Sequence, residues 1–187
     1  FPFYLQQLLD LFINNMIESH PTASDNAALY ILQSMGYEDT KELQSLLPFL
    51  IYHGEEYLWS HMRLECIKTL DQANIPIHVY GKGWKDLEFQ NIKVHPPVDF
   101  MQTLNLMQQS KIVLNCSPTL PEGSHERVFS SMLNGAVALT DNSKFYKENF
   151  LNNKNIVRYS WQELESLPDI INNLLAKPKK MQNIATR

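Results

Sequence analysis

The sequence predicts an α/β fold, a parallel sheet preceded by an α-helical segment, and three observations carry that prediction. The hydrophobic period is helical up to about residue 74 and changes to short, β-rich runs from Ile75 onward. Beyond that point strands and helices alternate with short connections, the pattern of right-handed βαβ units. The charge changes at the same place. Residues 1–74 carry ten acidic and three basic side chains, a net of −7, whereas 75–187 carry thirteen basic and ten acidic, a net of +3. Two segments, 1–74 and 75–187, are expected, and the second is the better host for an anionic ligand.

In the first segment Leu5, Leu8, Leu9, Leu11, Phe12 and Ile13 recur at helical spacing, followed by Met16 and Ile17. Ser24 or Asp25 could cap a second helix that carries Ala27, Ala28, Tyr30, Ile31 and Met35 and stops at Gly36. A third helix is expected from Lys41 to about Tyr52, interrupted by Pro48, and a fourth from Glu55 to about Ala73 with Tyr57, Leu58, Met62, Cys66, Ile67 and Leu70 on one side. The aromatics Tyr4, Phe12, Tyr30, Phe49, Tyr52, Tyr57 and Trp59 are read as core or interface.

In the second segment the strands are expected at Ile75–Tyr80, ending at Gly81, then at 92–95, 111–115, 136–140 and 155–159. The run Ala136 to Thr140 is largely apolar, as a strand buried on both faces requires. Asp99 caps a helix through Phe100, Leu104 and Met107, and a short helix runs from Glu126 to Leu133 and ends at Asn134-Gly135. Asp141 is read as the cap of a helix that begins near Ser143. A final amphipathic helix runs from Gln162 to Leu175.

Bulk properties narrow the function classes. With 44% hydrophobic and 19% charged residues the chain is an ordinary globular protein, and a net charge of −4 argues against a nucleic-acid partner. Cys66 and Cys116 have no CxxC spacing and no His/Cys companions, so neither zinc nor a redox pair is indicated, and a reducing, cytoplasmic setting is expected. No apolar run reaches the ~20 residues of a transmembrane helix. Phe1-Pro2-Phe3-Tyr4 lacks the basic region and cleavage site of a signal peptide, and without an initiator methionine the chain reads as a piece of a longer protein.

The chemistry is expected in one stretch. A buried strand ends at Asn115, a Ser/Pro/Gly loop containing Ser117, Glu122 and Gly123 follows, and a helix opens near Ser124 or His125. Parallel sheets bind ligands in loops after the carboxyl ends of their strands. A helix start offers free N–H groups and partial positive charge to a diphosphate. Arg127, in the first turn, could add a bidentate phosphate contact. Plainer readings stand beside these: a solvated loop carboxylate for Glu122, a packing residue for His125, a helix-dipole partner for Glu126 and a surface ion pair for Arg127. Gly81-Lys82-Gly83-Trp84 is a strand-end turn whose glycines could let the backbone approach a ligand. It is not a dinucleotide fingerprint.

Four motifs then match in order: Val79-Tyr80-Gly81-Lys82-Gly83-Trp84, Lys111-Ile112-Val113-Leu114-Asn115, Gly123-Ser124-His125-Glu126-Arg127-Val128-Phe129, and Gly135 to Asp141. Together they resemble the CgeB-type, spore-maturation-like glycosyltransferases over roughly residues 75–187. The resemblance implies a Rossmann-like nucleotide-sugar-binding domain, one half of a GT-B fold. It implies that Glu122 faces donor sugar or phosphate, with the family glycine thirteen positions on at Gly135. It implies that backbone near Pro97 and Val98 edges the nucleobase. The family's second glutamate, which holds the ribose hydroxyls, falls at position 130, where this chain has Ser130.

The reading that follows is the donor-binding part of a metal-independent glycosyltransferase. It would hold a nucleotide-diphosphate sugar and need no cofactor or metal, and it would be inactive without an amino-terminal GT-B domain. The acceptor, glycan or protein, and the catalytic residues are unassigned. The alternative is a non-catalytic binding or scaffold module on the same half-fold, favoured by Ser130. A third reading is an unrelated nucleotide- or phosphate-binding regulator.

Overall fold

The computed structural model describes residues 2–19, 22–37 and 41–186; Phe1 and Arg187, which bound the two expected segments, lie outside them. Helices α1 (Phe3–Glu18), α2 (Ser24–Ser34) and α3 (Lys41–Gln72) come first. Strands β1 (Ile77–Tyr80) and β2 (Ile92–His95) follow, then α4 (Phe100–Gln109), β3 (Ile112–Leu114), α5 (Glu126–Leu133), β4 (Val137–Asp141), α6 (Lys144–Asn149) and β5 (Val157–Tyr159). A 3-10 turn over Trp161–Ser166 leads into α7 (Leu167–Leu175), and α8 (Pro178–Ala185) follows. The fold is α/β, a Rossmann-like arrangement of parallel strands preceded by helices, as the change of hydrophobic period predicts.

Every strand pair is parallel. β1 pairs with β2, Ile77 opposite Ile92. β4 lies between β3 and β5, with Ile112 opposite Val137 and Leu139 opposite Val157. Among the described residues no ladder joins the two sets, although Ile77 and Ile112 pack against the same core. All five residues of β4 are buried, as its apolar run requires. Its side chains alternate: Val137 and Leu139 enter the core under α3 and α7, and Ala138 enters the opposite one with Val128, Tyr146 and Ile156.

Three local readings need correction. Lys41 to Gln72 is one helix of 32 residues, not two. Pro48 forgoes one intrahelical bond, to the carbonyl of Gln44, but that turn faces solvent, so water can serve the carbonyl. Leu43, Leu50 and Leu58 enter one core with Leu8, Phe12, Met16 and Leu32, each burial contributing about 1.5–3 kcal/mol, which offsets the lost bond. Gly54 sits against the Phe12 ring, where a Cβ would collide, so the glycine marks a close helix contact rather than a break. The second correction concerns caps. Ala23 occupies the cap position of α2, and Ser24 is buried inside its first turn. Ser143, not Asp141, caps α6, its Oγ accepting from the Tyr146 amide at 3.3 Å. The third concerns the end of the chain, where the expected single helix is a 3-10 turn plus α7, and α8 lies beyond it.

Of the aromatics read as core or interface, Phe12 is fully buried, but Tyr4, Tyr30, Tyr52 and Tyr57 are exposed, each lying on the outer face of its helix. No helix among the described residues is long and apolar enough to cross a membrane.

Candidate functional site

The carboxyl ends of β3, β4 and β5 are tied together by Asn115. Its backbone N–H continues the ladder to the Leu139 carbonyl at 2.8 Å, and its own carbonyl accepts from the Tyr159 hydroxyl at 3.2 Å. Its side-chain amide donates to Ser117 Oγ at 2.8 Å and to Thr140 Oγ1 at 3.0 Å. Its Oδ1 accepts from Arg127 Nη1 at 3.3 Å. Asn115 is fully buried and its amide is occupied on both ends, so it acts as a brace. Ser117 is likewise buried within this network. Thr140 passes the chain on by donating to Asp141 Oδ1 at 3.0 Å, and Trp161 Nε1 lies 3.4 Å from Asp141 Oδ2. Asp141 is buried, and desolvation raises its carboxyl above the usual range despite these donors.

The loop runs from Asn115 to His125, which caps α5. His125 Nδ1 accepts the Arg127 amide at 3.1 Å, and its backbone N–H donates to the Tyr146 hydroxyl at 2.7 Å. The cap requires an unprotonated Nδ1. Burial favours that state, lowering the imidazole pKa, and the positive charges of Arg127 and Arg63 add to the effect. Arg127 spends its amide on the cap and one guanidinium N–H on Asn115. Among the described residues no carboxylate lies at ion-pair distance from it.

Glu122 is exposed and faces Lys144 Nζ at 3.8 Å, outside the Asn115 network. Gly123 closes a turn on the Leu120 carbonyl, and Ser124 is half-buried just before the cap. Ser130 lies one turn into α5, its hydroxyl donating to Glu126 Oε1 at 2.8 Å. Gly81 and Gly83 follow β1 with φ of 146° and 83°, and Pro97 and Val98 follow β2. All of these except Ser130 occupy carboxyl ends of parallel strands or the loops beyond. Among the described residues, however, no hydrogen bond joins Gly81, Gly83, Pro97 or Val98 to the Asn115–Arg127 loop.

Two residues that the sequence reading leaves out of the site reach it from α3. Trp59 Nε1 donates to Thr119 Oγ1 at 2.6 Å, and its ring centroid lies 5.9 Å from that of His125. Arg63, one helical turn on, stacks its guanidinium 4.3 Å from the Trp59 ring centroid. The signal was present as an aromatic–Arg pair at i, i+4 in a segment with only three basic residues. A spacing alone does not say which tertiary neighbour it meets.

A family model described as glycosyl transferase-like matches residues 63–187. The match begins inside α3, next to Cys66 and Leu70, which belong to the sheet core rather than to the helical one. No curated protein and no solved structure matches the chain.

Proposed function

The chain belongs to the glycosyl transferase-like family, and from that premise we propose that residues 115–130 bind the nucleotide-diphosphate end of a sugar donor. The observation that carries the reading is Arg127, braced by Asn115 at the mouth of a parallel-strand loop and free of any carboxylate partner among the described residues. In sugar transfer an acceptor oxygen attacks the anomeric carbon while the bond to the diphosphate breaks, leaving negative charge on the departing oxygen. The Arg127 guanidinium and the positive end of the α5 dipole are the groups here that would stabilise that charge, without a metal. The finer assignment follows the motif order: a CgeB-type, GT-B donor domain, with Glu122 toward the sugar and Pro97 and Val98 toward the base.

The GT-B reading places the acceptor on a second domain, so sugar transfer by this chain alone is expected to be undetectable, and donor turnover by the purified protein would overturn that expectation. A second reading, a binding module without catalysis, is favoured by Ser130. Its hydroxyl is already engaged by Glu126 and offers a ribose no charged acceptor.

The test is an NMR titration with UDP, GDP, dTDP and their sugars. Amides between Asn115 and Phe129 are expected to move at millimolar ligand, and Arg127→Ala is expected to abolish the shifts. No movement, or binding unchanged by that substitution, refutes the site. Tighter binding by Ser130→Glu identifies a donor domain with a weakened ribose contact.

A further inference from the structure

We propose that Trp59 and Arg63 of α3 form the second wall of this site, with Arg63 and Arg127 together taking the two phosphoryl groups of a nucleoside diphosphate, so that the site selects diphosphates over monophosphates. The inference rests on the donor-site reading above and adds to it a helix whose first two-thirds lies outside the family match.

The geometry comes first. Trp59 is fixed to the loop through Thr119 and packs beside His125, and Arg63 lies on its face. Stacking on an aromatic ring holds a guanidinium in place while leaving its N–H edge for hydrogen bonds. Arg127 is held by Asn115. Two restrained guanidinium groups thus lie near the capping residue His125, one on the ring packed beside it and one two residues along the chain.

Charge comes next. Lys68 and Lys144 each pair with a glutamate. Among the described residues Arg63 has no carboxylate at ion-pair distance, although Glu55 and Glu56 share the open hollow that it lines. Burial and the nearby charge of Arg127 both lower the Arg63 pKa, so its cation is held at a cost. Two nearby cations without an anion repel, and a ligand carrying two adjacent phosphoryl groups would remove that repulsion. A monophosphate can engage one of them.

The test titrates the 187-residue chain with inorganic pyrophosphate, inorganic phosphate, UDP and UMP, in the unsubstituted protein and in Arg63→Gln, Arg63→Lys and Arg127→Ala. Loss of one charge-assisted contact is expected to weaken UDP and pyrophosphate about tenfold or more in Arg63→Gln. UMP and phosphate should stay within about twofold, and Arg63→Lys should recover part of the loss. If Arg63→Gln leaves UDP and pyrophosphate within about twofold while Arg127→Ala weakens both, the second wall is refuted and the donor site stands. An equal loss for UMP and UDP refutes the selectivity. If the unsubstituted protein binds neither UDP nor pyrophosphate, both readings fail. A readout that needs no Arg63 variant is the Trp59 indole N–H resonance, assigned with Trp59→Phe. It must shift on adding pyrophosphate, and a stationary signal refutes the proposal even if Arg63→Gln does not fold.

Discussion

The helical layer built from α1, α2 and the first half of α3 and the sheet layer that follows bury different things. The helical core is apolar, with Leu8, Phe12, Met16, Leu32, Leu50 and Leu58 almost wholly enclosed, and Ser24 is its one buried polar residue among those described. The sheet layer encloses Asn115, Ser117, Thr119, Ser131, Thr140, Asp141 and Ser143 between residues 115 and 143. Buried polar groups cost free energy unless they are bonded to one another, and no apolar core needs them. The concentration of all but Ser131 at the carboxyl ends of β3 and β4 marks where the fold gives up packing to fix geometry. The helical layer acts as a body against which α3 is held, and through Trp59 it reaches the loop.

The largest effect is expected from Phe12→Ala. Phe12 is fully buried against Gly54, and the cavity should cost about 3–5 kcal/mol of stability in urea unfolding. Nucleotide affinity of the folded fraction should not change. If affinity falls with stability, the two layers are not separable in this way. Asn115→Leu should cost less, about 2–3 kcal/mol, because it removes the donor to the hydroxyls of Ser117 and Thr140 and leaves one Arg127 donor without its acceptor. Unlike Phe12→Ala, it should also weaken UDP about tenfold, since Arg127 loses its brace.

How much of this was legible follows the same division. The apolar strand Ala136–Thr140 could be read because burial on both faces leaves a composition signature. Asn115 could be placed because a Ser-Pro pair follows a β-branched run. The helix start near Ser124 or His125 could be read, but not that the His125 ring caps it, because histidine is not a usual capping residue. Asp141 was misread, because a carboxylate before a helix resembles a cap, whereas this one is drawn under the loop by Thr140 and Trp161. The continuity of α3 was hidden by Pro48 and Gly54, two residues with helix-breaking propensity that tertiary packing overrides. Trp59 and Arg63 were invisible as site residues because contacts between residues 60 positions apart leave no local period. The exposure of Tyr4, Tyr30, Tyr52 and Tyr57 depends on which helix face the neighbours cover.

A pH series sharpens the comparison further, with a smaller effect. His125 has its pKa lowered from the usual 6.5. Above that value it is neutral in both folded and unfolded chains and contributes no slope. As the pH falls below 6.5 the unfolded chain takes up the proton first, so stability is lost down to the folded value. Asp141 works in the opposite sense: its raised carboxyl protonates in the folded state before the unfolded one, so acidification toward 3.8 adds stability there. His125→Asn keeps a capping acceptor without the titration. The fall in urea stability between about pH 7.5 and pH 5.5 should be smaller in His125→Asn than in the unsubstituted protein. Equal falls would mean that the cap does not titrate.

The smallest effect on stability, and the one that bears most directly on donor recognition, is expected at Glu122. Its carboxylate is three-quarters exposed and meets a lysine that is itself mostly exposed, at 3.8 Å. Such a pair is screened and must hold two long side chains still, so its loss should change stability by less than about 0.5 kcal/mol. Glu122→Gln should therefore unfold with the unsubstituted protein. If Glu122 only decorates the loop, binding of UDP and of UDP-sugars will also be unchanged. If it faces the donor sugar, UDP-sugar affinity should fall severalfold while UDP affinity stays constant, because the lost acceptor meets sugar hydroxyls and not phosphate. Lys144→Ala is the control, since it removes the same ion pair and leaves the carboxylate in place. A UDP-sugar loss seen in Glu122→Gln and absent in Lys144→Ala assigns the effect to the ligand. A loss shared by both variants assigns it to the shape of the loop, and the sugar-facing role of Glu122 is then wrong.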